Sequence, residues 1–151
     1  MHIFEVHNVD LKHKNITLVG KSILVGIPLS FLLLQKGAFV KFCDIHNNIQ
    51  ESVKDADIII SAAGVRNLIQ GDFVKEGVIV IDAGCNKGIR KIDKRRVVGD
   101  VEFNKVSQKA KLINLVPGGV GPITVSMLIK NVVQCWKQNL QIEDQQKQDK
   151  L

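Results

Sequence analysis

The chain has 151 residues, 21 Lys and Arg against 15 Asp and Glu for a formal net charge of +6, and 45% hydrophobic residues. That length suits one ordinary globular domain, and the mix of apolar and charged residues excludes wholesale disorder. No apolar run approaches the roughly 20 residues a membrane-spanning helix needs, so no membrane partner is expected; the longest, Ile23 to Leu34, is broken by Gly26, Pro28 and Ser30.

In chain order, the start Met1-His2-Ile3-Phe4-Glu5 lacks a basic segment leading into an apolar one, and no secretion signal is expected. Short Val- and Ile-rich runs flanked by Gly, Asp or Asn at Asn15–Val19, Phe39–Cys43, Asp57–Ser61 and Val78–Asp82 predict buried parallel strands. Between the first two, Gly26 to Gly37 has Pro28 near its start and Gly37 just past its end, the pattern of a crossover helix. Shorter helices are predicted over Asn48–Asp55 and Glu102–Ala110, then a strand over Lys111–Leu115. This alternation predicts an α/β fold, a doubly wound, Rossmann-like parallel sheet covered on both faces, in a single domain. After the turn-rich Pro117–Pro122, Thr124, Val125, Met127, Leu128, Val132, Val133 and Trp136 recur at helical spacing and predict a helix with a broad apolar face. Residues 1–140 are expected to form the domain, with a polar tail at 141–151; Gln138–Leu151 is expected to be frayed.

Composition bears on partners as well. Cys43, Cys85 and Cys135 are odd in number and far apart, which fits neither a disulfide framework nor a C-x-x-C knuckle, so reduced thiols and a cytoplasmic location are expected. The basic run Lys87, Arg90, Lys91, Lys94, Arg95 and Arg96 holds no aromatic residue to stack on a base, so a solvated loop is expected and no nucleic-acid partner. His2, His7, His13 and His46 show no metal-ligand spacing, and no metal is expected.

The chemistry concentrates where the first strand runs into Gly20-Lys21-Ser22-Ile23-Leu24-Val25-Gly26 and then into the crossover helix. A helix N-terminus there offers N–H groups and a positive dipole end to phosphate. The spacing departs from G-x-G-x-x-G, because Ser22 stands at the middle position. A phosphate-binding loop ending in Gly20-Lys21-Ser22 would need Gly at position 15, where the chain has Asn15. A nucleophile elbow would need Gly at position 24, where it has Leu24.

Taken together, these residues resemble the nucleotide-binding half of the bifunctional methylenetetrahydrofolate dehydrogenase/methenyltetrahydrofolate cyclohydrolase family. The family's G-R-S-x-x-V-G-x-P corresponds to Gly20 through Pro28. Ala56-Asp57-Ile58 and Ala63-Gly64 fit its third strand and turn, Val80 through Asn86 its V-I-D-x-G-x-N, and Val98-Gly99-Asp100-Val101 its V-G-D-V. The most specific match is Pro117-Gly118-Gly119-Val120-Gly121-Pro122-Ile123-Thr124 to P-G-G-V-G-P-M-T, and the whole covers about residues 9 to 137.

The resemblance implies oxidation of 5,10-methylenetetrahydrofolate with a nicotinamide cofactor and hydrolysis of the methenyl product. By position, it implies Gly20, Lys21 and Ser22 at the cofactor phosphates, with Gly26 and Gly64 also in the cofactor site. It implies Ile45 and His46 near the adenosine ribose, Cys85 beside the nicotinamide with Thr124 at that end, and Pro117, Gly118, Gly119, Val120 and Gly121 along a folate cleft. It also implies a homodimer, and a final helix running alongside another domain and therefore partly exposed here. The family's catalytic Tyr-x-x-x-Lys cannot occur in a chain without tyrosine, so no catalytic residue is assigned and folate turnover is expected only with a complementary catalytic domain. A vestigial or regulatory nucleotide-binding module and another Rossmann-type reductase are the competing readings, the latter disfavoured by the Pro117–Thr124 match.

NADP-using members read G-R-S in the loop and C-H-S after the second strand; here Lys21 and Cys43-Asp44-Ile45 stand in those places. Asp44 follows Gly20 by 24 positions, close to the roughly 20 expected of an acid that accepts from a ribose 2′-OH. Of NADP or NAD, the carboxylate favours NAD, while Lys21 pulls towards the 2′-phosphate without the fork of Arg. Replacement of Gly20 by Val is expected to abolish binding and leave the fold.

Overall fold

The computed structural model describes the backbone of residues 1–87 and 97–148, and the side chains of these up to residue 142. Of the basic run, only Lys87 falls among the described residues, and it is exposed. The chain divides into two compact units, Met1–Gly119 and the segment from Val120 onward.

The first unit opens with a one-turn helix α1 (His2–Val6) and the strand β1 (Asn15–Val19). Helix α2 (Gly26–Gln35) leads to β2 (Phe39–Cys43), and α3 (Ile49–Val53) to β3 (Ile58–Ser61). A 3₁₀ turn at Gly71–Phe73 precedes β4 (Ile79–Asp82) and a short antiparallel pair, β5 (Asn86–Lys87) and β6 (Val97–Val98). Then come α4 (Phe103–Lys109) and β7 (Leu112–Ile113). Strands β2-β1-β3-β4-β7 form one sheet in that order, every pairing parallel.

The order follows from hydrophobicity. Strands β1 and β3 are buried on both faces almost throughout and occupy interior positions, whereas β2, with Phe39 59% and Phe42 40% exposed, is an edge. Side chains alternate across a strand, so Val19, Ile59 and Val80 share one face and pack with Ile49 and Val53 of α3 and Val106 of α4. Ile16, Leu18, Ile58 and Ile60 are buried on the other, and α2 packs against β1 and β2. Helix α2 closes with two backbone bonds that satisfy its last carbonyls, Gly37 N–H to Leu34 at 2.9 Å and Ala38 N–H to Leu33 at 3.2 Å. Asn48 caps α3 by accepting from the Glu51 N–H.

Register aligns the carboxyl ends. Val19 sits opposite Cys43 on one side and Ser61 on the other, and Ser61 opposite Asp82. From β1 the chain steps outward to β2 and then returns to β3 on the opposite side. The strand order therefore reverses at β1, where open α/β sheets form a crevice.

Most of the expected elements are shorter by a residue or two at an end, and α1 and the β5–β6 pair were not expected; two larger differences have a physical cause. The last strand ends at Ile113 rather than Leu115 because the Asn114 side chain takes over the ladder: its Oδ1 accepts from the Asp82 N–H at 2.7 Å and its Nδ2 donates to the Asp82 carbonyl at 2.9 Å. The described part of the second unit is one helix, α5 (Val120–Gln148), which begins ahead of Pro122 and continues into the segment expected to be frayed as far as Gln148. Proline in a first turn costs no hydrogen bond, and residues 137–148 contain neither Gly nor Pro and are rich in Gln, a good helix former. Among the described residues no helix is long and apolar enough to cross a membrane.

Candidate functional site

Gly20 ends β1 with φ +111°, a conformation that L side chains rarely adopt, and its N–H donates to the Cys43 carbonyl at 2.8 Å. A Cβ there would stand 2.6 Å from the carbonyl oxygen of Ala62 in the turn after β3. At the other end of the loop, Gly26 is buried, and a Cβ on it would meet the Gly20 and Lys21 backbone. The loop closes on itself, with the Val25 N–H donating to Ser22 Oγ at 3.2 Å and the Ile27 N–H to the Ser22 carbonyl at 3.0 Å. These bonds take up the Val25 and Ile27 N–H groups and Pro28 has none, so the start of α2, which has no side-chain cap, presents chiefly the Gly26 backbone. Ile23 and Leu24 project from the loop, 78% and 85% exposed.

Beside this turn, at the end of β2, Asp44 is held by both carboxylate oxygens. Oδ2 pairs with Lys21 Nζ at 2.7 Å, and Oδ1 accepts from the His46 N–H at 2.9 Å. The Lys21 contact first, and the His46 N–H second, hold the Asp44 carboxyl below the usual carboxylate range. Lys21 and Asp44, singled out separately in sequence, thus form one ion pair, and Ile45 and His46 form the exposed turn beyond it.

The third part of the edge is buried and polar. Asp100, with no exposed surface, accepts on Oδ2 from Ser61 Oγ at 2.8 Å, Ala63 N–H at 2.8 Å and Gly64 N–H at 3.2 Å. Its Oδ1 accepts from Val65 N–H at 3.0 Å and Asn86 Nδ2 at 2.8 Å. Five donors saturate the roughly four lone-pair sites of a carboxylate. Asp82 accepts from the N–H groups of Gly84 (2.8 Å), Asp100 (3.1 Å) and Val101 (3.0 Å). Burial pushes the Asp82 carboxyl up, its backbone N–H partners partly offset this, and the neighbouring Asp100 adds to the rise. Both approaches need glycine: a Cβ at Gly84 would fall on the Asp100 carboxylate, and one at Gly99 on that of Asp82.

Gly64 lies within this network at φ +70°, and exposed Cys85 stands between Gly84 and Asn86. Pro117, Gly118 and Gly119 end the first unit, Pro117 being cis. Val120, Gly121 and Thr124 belong to α5, where Thr124 Oγ1 donates to the Val120 carbonyl at 2.9 Å. Sequence reasoning quoted Asp82, Gly84, Gly99 and Asp100 only as matching letters and passed over Ser61 and Asn114. The available signal was an Asp ending one apolar strand, two residues before Gly, with a second Gly-Asp pair downstream.

A parallel sheet with a glycine turn at the point where strand order reverses defines a Rossmann-like domain. The family model described as tetrahydrofolate dehydrogenase/cyclohydrolase, NAD(P)-binding domain, matches residues 1–140, and the chain belongs to this family. The bifunctional protein FolD of Nautilia profundicola is 47% identical over 138 residues, which cover 91% of this chain and 47% of the relative. That of Aquifex aeolicus is 45% identical over 132 residues, 87% of this chain and 44% of the relative. Among solved structures, the Campylobacter jejuni bifunctional methylenetetrahydrofolate dehydrogenase/cyclohydrolase superposes with a TM-score of 0.87 at 41% identity, covering 92% of this chain and 48% of that one. The Trypanosoma brucei enzyme, solved with NADP and an inhibitor, also gives 0.87 at 34% identity over 93% and 49%. The chain spans about half the length of the curated relatives it matches.

Proposed function

We propose that this chain binds a nicotinamide dinucleotide at the carboxyl edge of its sheet. In our reading it serves as the cofactor-binding half of a methylenetetrahydrofolate dehydrogenase/methenyltetrahydrofolate cyclohydrolase. The observation that carries the proposal is the Gly20–Gly26 turn, which sits where strand order reverses and admits no side chain at either end. Gly20, Lys21, Ser22 and Gly26 cradle the phosphates; Asp44, Ile45 and His46 receive the adenosine ribose; Gly64 and Cys85 serve the nicotinamide side. Pro117, Gly118, Gly119, Val120 and Gly121 contribute to the folate cleft. When bound, the dinucleotide supplies the hydride acceptor.

Hydride transfer and hydrolysis both need a folate held within near-attack distance. A complementary catalytic domain, ahead of this region in a longer polypeptide or on a partner, supplies that site, and the 151-residue chain alone turns over no folate. Residues 1–140 form the working domain and 141–151 lie outside it. Free thiols at Cys43, Cys85 and Cys135 support a cytoplasmic setting, and the exposed apolar edge at Phe39 and Phe42 supports self-association as a homodimer.

Between cofactors, NAD is the better fit. A phosphate on the 2′ position would have to draw Lys21 away from Asp44 and then sit beside the freed carboxylate, whereas a hydroxyl donates to it. Calorimetric titration with NAD and NADP tests both levels of the proposal. Binding by the parent and its loss in Ser22→Glu, which sets a carboxylate against the phosphates and removes the hydroxyl that accepts from the Val25 N–H, is the expected result. Equal binding by parent and variant would move the site elsewhere. Cofactor binding without turnover, even with the complementary half present, would mark a regulatory module instead.

A further inference from the structure

We propose that Asp100 is a positioning residue for the nicotinamide half of the dinucleotide, its buried carboxylate fixing the Ser61–Val65 turn and Asn86 as one wall beyond β3 and β4. The inference rests on the dinucleotide reading above. Its basis is the distribution of the five donors. Four come from the end of β3 and the turn after it, namely Ser61 Oγ and the N–H groups of Ala63, Gly64 and Val65, and the fifth is Asn86 Nδ2, at the start of β5. None comes from the Gly20–Gly26 loop or from the Asp44 turn.

Sheet order gives this grouping its meaning. Asp44, at the end of β2, marks the side of the crevice where an acid accepts from a ribose hydroxyl. Strands β3 and β4 lie on the other side of β1, so a dinucleotide spanning the crevice lays its second nucleoside across their ends. The phosphate turn has anchors of its own besides Asp100, because the Ala62 N–H donates to the Val19 carbonyl at 2.8 Å and the Gly20 N–H to the Cys43 carbonyl at 2.8 Å. Loss of the carboxylate therefore loosens chiefly the β3 and β4 side, while the bonds from Ala62 to Val19 and from Gly20 to Cys43 remain. Asn at position 100 keeps the size but offers one acceptor oxygen and an amide that confronts N–H donors with more N–H.

The test compares two ligands on the 151-residue chain. ADP-ribose reports the phosphate and adenosine side by calorimetry, and a reduced nicotinamide dinucleotide reports the far side by the fluorescence of its nicotinamide. In Asp100→Asn and Asn86→Ala, ADP-ribose affinity stays within about twofold of the parent. The affinity for the reduced dinucleotide falls roughly tenfold and its fluorescence enhancement shrinks, as expected on losing a hydrogen bond to a charged group. If Asp100→Asn does not fold, Ser61→Ala and Asn86→Ala carry the same expectation. Folded variants that bind both ligands as the parent does, or lose both equally, overturn the proposal. So does a parent that binds ADP-ribose as tightly as the dinucleotide. A parent that binds neither ligand removes the dinucleotide reading itself, whereas parent binding unmoved by any variant removes only the role of Asp100.

Discussion

Gly20 carries two requirements at once, a left-handed backbone and a Cβ-free approach to the Ala62 carbonyl oxygen. Gly20→Val therefore strains β1 against the β3 turn, and the expectation of a lost ligand with an intact fold does not hold. The structure instead predicts a destabilisation of at least 1–3 kcal/mol, the usual cost of a forced left-handed residue, measurable by urea unfolding without any ligand. At the Lys21–Asp44 pair, Asp44→Ser removes the repulsion of a 2′-phosphate and frees Lys21 to meet it. The preference should move towards NADP, and titration of parent and variant with both cofactors checks this.

A second carboxylate predicts pH dependence. Asp57 pairs with Lys75 Nζ at 2.7 Å and accepts from the Asn15 N–H, contacts that hold its carboxyl below the usual range. A depressed pKa stabilises the fold above the unfolded value and ceases to do so as pH falls through the folded value. Stability should thus decline from about pH 4 downward, and Asp57→Asn should flatten that acid limb in denaturation curves recorded at several pH values. Asp82 acts with the opposite sign: its raised carboxyl favours the fold more as pH falls, which partly offsets the decline.

At the scale of elements, the strands were the most legible part of the chain. The bounds of Asn15–Val19 and Phe39–Cys43 were readable to the residue as short apolar runs between polar turns, but the second, expected to be buried, is an edge strand with Phe39 and Phe42 exposed. Ile59 exemplifies a buried strand: fully buried between α3, α4 and the sheet, it should cost about 3 kcal/mol when replaced by Ala, read from chemical denaturation. Residues that act through side-chain geometry were not legible. No periodicity announces that Asn114 ends β7 by imitating a backbone ladder, or that Asp82 and Asp100 bind loops rather than face solvent. The glycine loop was visible as a pattern, but the Lys21–Asp44 pairing required the register of β1 against β2. The second half of helix α5 is not legible in the sequence, because a polar stretch without breakers fits a frayed tail and a continued helix equally well. Along α5, Val125, Leu128, Ile129, Val132, Val133, Trp136 and Leu140 are exposed. Apolar surface of that extent normally marks an interface. Emission from Trp136, the sole tryptophan, should shift to the blue when the complementary domain is added, and Leu128→Lys should abolish the shift.

For the whole molecule, the proposal divides a two-part catalyst between halves, one bringing cofactor and the other substrate and proton transfer. Co-expression with the folate-binding half of a relative should restore dehydrogenase turnover, and this chain alone should show none in the same assay. The reciprocal fit of two turns also limits how such a domain changes over generations. Room at position 84 is taken by the acid at 100, and room at 99 by the acid at 82. An ancestor that gained a methyl group at either glycine first would have passed through a form in which that carbon and a carboxylate claim one space. Drift at these four positions is therefore concerted, and in descendants of this sequence they should be replaced as a set or retained as a set, while the exposed loop residues Ile23 and Leu24 vary one at a time.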